Sequence, residues 1–116
     1  MRLAIGLLLI LVAGSAQAES WSCTYPGYGK DRAAVRAEYE LINGKLTSKK
    51  WGTEYQVVIN NRLAVVAVEA SALVDGTGRR INATTIIIDR ERGGFIHMVG
   101  EIGDEPGYAV GLCTSP

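Results

Sequence analysis

Two cysteines near the ends of the predicted mature chain constrain the fold more than any other feature. Cys23 lies just after a predicted cleavage site and Cys113 lies close to the C-terminus. An even pair of cysteines in an exported protein is typically oxidised. A bridge closing so long a loop would stabilise the fold by about 4 to 5 kcal/mol in the chain-entropy model. Two free thiols, or a bridge between molecules, are the alternatives.

The first eighteen residues read as a signal peptide. A charged start precedes an apolar run over residues 3–13, and Ala-Gln-Ala at residues 16–18 is a typical cleavage site. The apolar run is too short for a transmembrane helix, which needs roughly 20 residues. We therefore expect a periplasmic or secreted protein without a membrane span after cleavage. Residues 1–18 would be the signal peptide and residues 19–116 a single domain.

The composition favours a small β-protein. The chain has 14 glycines, many β-branched residues and no formal net charge. Because a nucleic-acid-binding domain is usually basic, the charge balance predicts no nucleic-acid partner.

A hairpin over residues 81–102 is the clearest local prediction. The β-branched run 84–88 favours a strand, Gly93 and Gly94 can turn the chain, and 95–99 supplies the returning strand. Six further short strands follow from alternation and turn signals. They are predicted at 21–25, 35–42, 45–48, 55–59, 62–70 and 108–113.

The segment 35–42 is compatible with a strand or a helix. Val35, Tyr39 and Ile42 fit helical spacing, whereas alternation over the same residues fits a half-buried strand. The following Asn43-Gly44 is the preferred dipeptide of a two-residue hairpin, which favours the strand. A helix that ends at Gly44 is the competing interpretation.

Eight strands whose first and last members are cross-linked predict a closed, antiparallel, up-and-down β-barrel, similar in architecture to lipocalins. Successive connections then lie at alternate ends. Connections 26–34, 49–53, 71–80 and 103–107 would share one end, which we call the long-loop end. The residues expected to form a binding rim there are Tyr28, Lys49, Lys50, Trp51, Arg79, Arg80, Asp104 and Glu105.

No catalytic or metal motif stands out. His97 is the only histidine, and one histidine without a nucleophile motif or nearby cysteine makes neither a triad nor a usual zinc site. We therefore expect that the protein is not an enzyme and that it binds no cofactor or metal. The leading hypothesis is an exported binding module that contacts an envelope protein or an anionic envelope component through the long-loop end. A lipocalin-type carrier of small molecules is the alternative.

The predicted fifth strand, 62–70, is apolar on both faces. Such a strand is covered on both sides or exposes an apolar stripe. The sequence therefore leads to two alternative hypotheses. One is a homodimer through Leu63, Val65 and Ala67, and the other is a loop that covers these residues.

The chain resembles small uncharacterised exported proteins of proteobacteria in three places. These are Trp-Ser-Cys at 21–23, the segment 54–61, and Gly-Leu-Cys at 111–113. Its Trp-x-Cys start is also similar to that of periplasmic C-type lysozyme inhibitors, which are small disulfide-linked barrels. Their Ser-Gly-x-x-Tyr motif would fall on residues 51–55, where Gly52 and Tyr55 match and Trp51 replaces the serine. This resemblance implies a barrel, with lysozyme-inhibitor-like activity as a further alternative.

Overall fold

A computed structural model describes residues 18–27 and 33–116, which form a closed antiparallel barrel with strands in chain order. The expected all-β, up-and-down architecture is confirmed. The strands are β1 Glu19–Pro26, β2 Ala34–Ile42, β3 Lys45–Ser48, β4 Glu54–Asn60, β5 Ala64–Asp75, β6 Gly78–Asp89, β7 Gly94–Glu101 and β8 Gly107–Thr114. The cleavage site, except for Ala18, and rim residue Tyr28 lie outside the described residues.

The barrel closes where β1 pairs with β8. Cys23 lies opposite Cys113 in this ladder, and the two form the predicted disulfide. Gly111 makes the close approach possible, since a Cβ at this position would lie 2.1 Å from the carbonyl oxygen of Thr24. Closure therefore depends on a covalent bond and on a strand position where only glycine fits.

Residues 34–42 are a strand, so the helix interpretation of 35–42 is wrong. β2 pairs along its length with β1 and returns into β3 through Asn43-Gly44. Asn43 and Gly44 have φ values of 52° and 76°, as a type I′ turn requires at both central positions. The turn dipeptide thus identified the correct interpretation.

Aromatic side chains fill much of the barrel interior. The Phe95 ring lies 5.5 Å from the Tyr25 ring and 5.8 Å from the Tyr39 ring, measured between centroids. Large rings dominate the apolar area buried in a small core. The buried core residues are Trp21, Cys23, Tyr25, Ala37, Tyr39, Leu41, Leu46, Tyr55, Val65, Ala67, Ile86, Ile88, Phe95, Ala109 and Cys113.

The residues proposed for a homodimer lie on the wrong face of the fifth strand. Val65 and Ala67 are fully buried inside the barrel, opposite Ile88 and Ile86 of β6. Leu63 is half exposed but precedes β5. The side chains of β5 that point outward are instead the even-numbered ones, beginning with Ala64.

Residues 71–80 are not the long loop that the sequence suggested. β5 and β6 pair continuously as far as Asp75 and Gly78, so that only residues 76–77 turn the chain. The β4–β5 ladder ends at Val68 and the β6–β7 ladder ends at Asn82. The hairpin segment 72–81 therefore extends beyond the barrel at the long-loop end, and we call it the arm.

Candidate functional site

The outer wall of the barrel has a charged half and an apolar half. On β1 to β4 the outward side chains include the charged residues Arg36, Glu38, Glu40, Lys45 and Glu54. On β5 to β8 the outward positions are almost free of charge. We call their side chains the apolar face, formed by Ala64, Val66, Val68, Ala70, Ala72, Val74, Ile81, Ala83, Ile87, Ile96, Met98, Ile102, Tyr108, Val110 and Leu112.

Several large side chains of the apolar face are well exposed. Their exposed fractions are 83% for Val74, 76% for Ile102, 72% for Tyr108, 67% for Leu112 and 55% for Val110. If a fully exposed large residue presents roughly 150–220 Å², these five side chains expose on the order of 600 Å². Contiguous apolar patches above a few hundred Å² mark interaction sites. The apolar face is therefore the main candidate site.

An apolar depression of about 650 Å³ lies where the arm leaves the barrel. Small residues leave room for it, and Ile81 and Ile102 border it, held together by a 3.0 Å hydrogen bond from the Ile102 N–H to the Ile81 carbonyl. A depression of this kind can accept an apolar side chain from a partner. Its lining residues are Ala70, Ser71, Ala72, Ile81, Asn82, Ala83, Gly100, Glu101 and Ile102.

The barrel interior becomes polar towards the long-loop end. The Ser71 hydroxyl donates a 2.9 Å hydrogen bond to the Asn82 side-chain oxygen. Burial raises the pKa of Tyr55 above its ordinary value, and the negative charge of Glu69 acts in the same direction. Tyr55 and Glu69 therefore lie near one another at the long-loop end of the interior. The sequence patterns did not predict polar groups there.

A pair of carboxylates, Glu101 and Asp104, lies close to Arg80. A hydrogen bond with Asp104 raises the pKa of Glu101, and partial desolvation and the Asp104 charge add to this effect, whereas Arg80 and Asn82 lower it. Arg80 thus has an acidic neighbour of its own. Its positive charge is therefore partly compensated within the chain.

His97 packs inside the barrel. Its ring stacks on Tyr25, with centroids 5.9 Å apart, and burial lowers the pKa of His97 below its ordinary value. Within residues 18–27 and 33–116 no cluster of three acidic, histidine or cysteine side chains could hold a metal ion. The contacts of His97 are those of a packed side chain.

The rim residues that the structure describes share one end of the barrel but form no single cluster. Trp51 is about half exposed in the β3–β4 turn, and the Lys50 ammonium lies 5.2 Å from its ring centre. Arg79 and Arg80 lie on opposite faces of the arm, because adjacent strand residues alternate. The other described rim residues, Lys49, Asp104 and Glu105, are exposed in the β3–β4 and β7–β8 connections.

The described rim residues carry two more positive than negative charges. Lys49, Lys50, Arg79 and Arg80 are basic, whereas Asp104 and Glu105 are acidic. Glu101, which interacts with Asp104 and Arg80, offsets part of this excess.

Comparison with protein-family models, curated proteins and solved structures gives no match for this chain. Among the described residues, no helix is long and apolar enough to cross a bilayer. The division of the outer wall into a charged and an apolar half is the feature that identifies the candidate site.

Proposed function

We propose that this chain is an exported, non-enzymatic binding module that contacts a partner protein through the apolar face. The observation that carries the proposal is the contrast between the two halves of the wall. Charged side chains cover the outside of β2, whereas the outside of β7 is apolar along its length. Soluble monomers rarely expose a large apolar area on one side of their surface.

The exposed area fits a protein interface. The large side chains of the apolar face expose on the order of 600 Å², close to the ~800 Å² that each partner contributes to a standard interface. The depression beside Ile81 and Ile102 would supply the central pocket into which a partner side chain is anchored. The arm extends the same apolar surface through Ala72 and Val74.

The other functional hypotheses have less support. The positive excess of the described rim is small and is partly offset by Glu101, so it offers little attraction to an anionic envelope component. Phe95 and the Tyr25, Tyr39 and Tyr55 rings occupy the interior that a small-molecule carrier would use. Tyr55, which matched a lysozyme-inhibitor motif, is itself buried, so this motif would not present it to an enzyme.

The location proposed is the periplasm or the extracellular space. The Cys23–Cys113 disulfide supports this location, since reducing compartments seldom preserve structural disulfides.

Site-specific photo-crosslinking in the producing cell tests the proposal. A photoreactive phenylalanine analogue replaces Met98, in the middle of the apolar face, and in a matched control replaces Glu38 on the charged half. We expect a discrete protein adduct from position 98 and none from position 38. Adding Ile102→Lys to the position-98 variant should remove the adduct, because a charge would then border the depression.

Two results would contradict the proposal. Equal adducts from positions 98 and 38 would show that the apolar face is not the binding surface. Adducts to lipid alone would show that the apolar face contacts a membrane surface and not a partner protein.

A further inference from the structure

One strand edge of the arm has no pairing partner among residues 18–27 and 33–116. Val68 is the last residue of β5 that pairs with β4, but β5 continues to Asp75. The Asn61 N–H bonds to the Ala64 carbonyl on the β4 side, whereas the Arg90 N–H bonds to the Leu63 carbonyl on the β6 side. Because these directions alternate along a strand, the even-numbered residues of β5 point their backbone groups towards β4.

The backbone N–H and C=O groups of Ala70, Ala72 and Val74 therefore point to the side of β5 on which β4 lies. The β4–β5 ladder has already ended at Val68, before it reaches these residues. Proteins usually protect such edges with lysine, proline, a bulge or a covering segment. Between Glu69 and Asp75 the edge carries neither lysine nor proline. Within the part of the chain that the structure describes, the edge is therefore open to another strand.

Both faces of the arm expose a large apolar side chain along the open edge. Leu73 is 57% exposed on one face and Val74 is 83% exposed on the other, and their neighbours across the hairpin are Arg80 and Arg79. The exposed apolar side chains therefore belong to the edge strand, and the arginines belong to the other strand of the arm. Exposed apolar side chains on both faces of an open edge indicate that another strand covers this edge.

We propose that a second copy of this chain covers it, with the two β5 edges paired antiparallel about a two-fold axis at Leu73. This register places Leu73 opposite its counterpart, Ala72 opposite Val74, and Ser71 opposite Asp75. The Ala72 and Val74 positions then exchange about four backbone hydrogen bonds across the axis. The pattern is self-complementary, as a two-fold interface requires.

The neighbouring register is less favourable. An axis at Ala72 would set Glu69 directly opposite Asp75, and like charges facing each other destabilise a strand pair. The axis at Leu73 avoids this contact and pairs two exposed leucines at a position where side chains lie close together. The charges at the ends of the edge therefore select the register.

Dimerisation adds to the proposed binding function without depending on it. The two-fold axis is perpendicular to the joined sheet, so both apolar faces would lie on the same side. A partner protein would then meet two copies of the site, which strengthens binding through effective concentration. The dimer itself forms without that partner, so its failure and the failure of partner binding are distinguishable.

Analytical ultracentrifugation of the purified mature protein is the first test. We expect twice the monomer mass for the wild type at high concentration, and loss of the dimer in Ala72→Pro. Proline removes an N–H that faces the open edge and that the β6 ladder does not use. Ala72→Ser keeps this N–H and should keep the dimer. A cooperative thermal transition in both variants confirms that the barrel is folded.

Engineered cysteines test the register. Cα atoms of a non-hydrogen-bonded antiparallel pair lie about 4.5 Å apart, within disulfide range. Leu73→Cys should therefore form a covalent dimer readily in a glutathione redox buffer. Val74→Cys, which faces Ala72 of the other copy, should do so much more slowly.

A wild type that stays monomeric up to its solubility limit overturns the inference. So does a dimer that survives Ala72→Pro, or one in which Val74→Cys crosslinks as fast as Leu73→Cys.

Discussion

Arg90 and Glu19 form a two-pronged ion pair that ties the β6–β7 turn to the start of β1. The Arg90 Nη2 lies 2.6 Å from Glu19 Oε1, and its Nε lies 3.1 Å from Oε2. Arg90 also donates to the Asn60 side chain and the Asn61 carbonyl, and its guanidinium lies 5.8 Å from the Trp21 ring centre. One arginine thus closes the barrel end opposite the arm.

Arg90→Ala should lower the free energy of unfolding by about 1 to 2 kcal/mol, because several charge-assisted hydrogen bonds and a stacking contact are lost together. Arg92→Ala is the matched control, since Arg92 is exposed in the same turn. Its effect should stay within about 0.5 kcal/mol. Chemical denaturation measures both. Equal effects would show that Arg90 has no special closing role.

Removing the disulfide should lower the free energy of unfolding more than Arg90→Ala does. The bridge joins residues 90 positions apart, so replacing Cys23 and Cys113 with serine should lower the free energy of unfolding by about 4 kcal/mol in the chain-entropy model. In the unmutated protein, a non-reducing mass measurement should give a mass two hydrogens lower than that of the reduced form. Free thiols in the purified protein would contradict the closure described here.

A charge introduced on the inner face of β5 should destabilise the protein more than a charge introduced on the outer face. Val65 is fully buried and Val66 points outward. Val65→Lys buries an unpaired ammonium and should unfold the barrel or cost several kcal/mol. Val66→Lys should cost about 1 kcal/mol or less. Thermal melts of the two variants make the comparison, and a reversed order would mean that the strand register is wrong.

Acidification should destabilise the protein through His97. Burial lowers the pKa of His97 in the folded state below the ordinary value of 6.5. The unfolded chain therefore binds the proton first as pH falls, and the stabilising contribution, complete above pH 6.5, is lost as pH falls through the folded-state pKa. In His97→Gln, the decline in thermal midpoint from pH 7 towards pH 5 should be smaller. An identical decline would assign the effect to other groups.

Local signals identified all eight strands because alternation and turn dipeptides are properties of adjacent residues. Asn43-Gly44 decided β2 in this way. The arm was missed for the same reason, since Asp-Gly-Thr-Gly at 75–78 and the arginines that follow read as a loop. Their strand conformation comes from pairing with residues 71–74 on the other side of the turn.

The apolar face could not be recognised from the sequence because β5 is apolar on both sides. Alternation then gives no information about which side faces inward. The pairing of Val65 with Ile88 and of Ala67 with Ile86 decides it. Only when all outward positions of four strands are known does the contrast with the charged half emerge.

Accessibility of the apolar face in the cell is the most direct test of the central claim. Val110→Cys lies on the apolar face, and Arg36→Cys lies on the charged half. Both should react rapidly with a maleimide in the purified protein. In permeabilised cells, Val110→Cys should be protected while Arg36→Cys still reacts. If Val110→Cys is labelled as fast in cells as in solution, nothing covers the apolar face and the account is wrong.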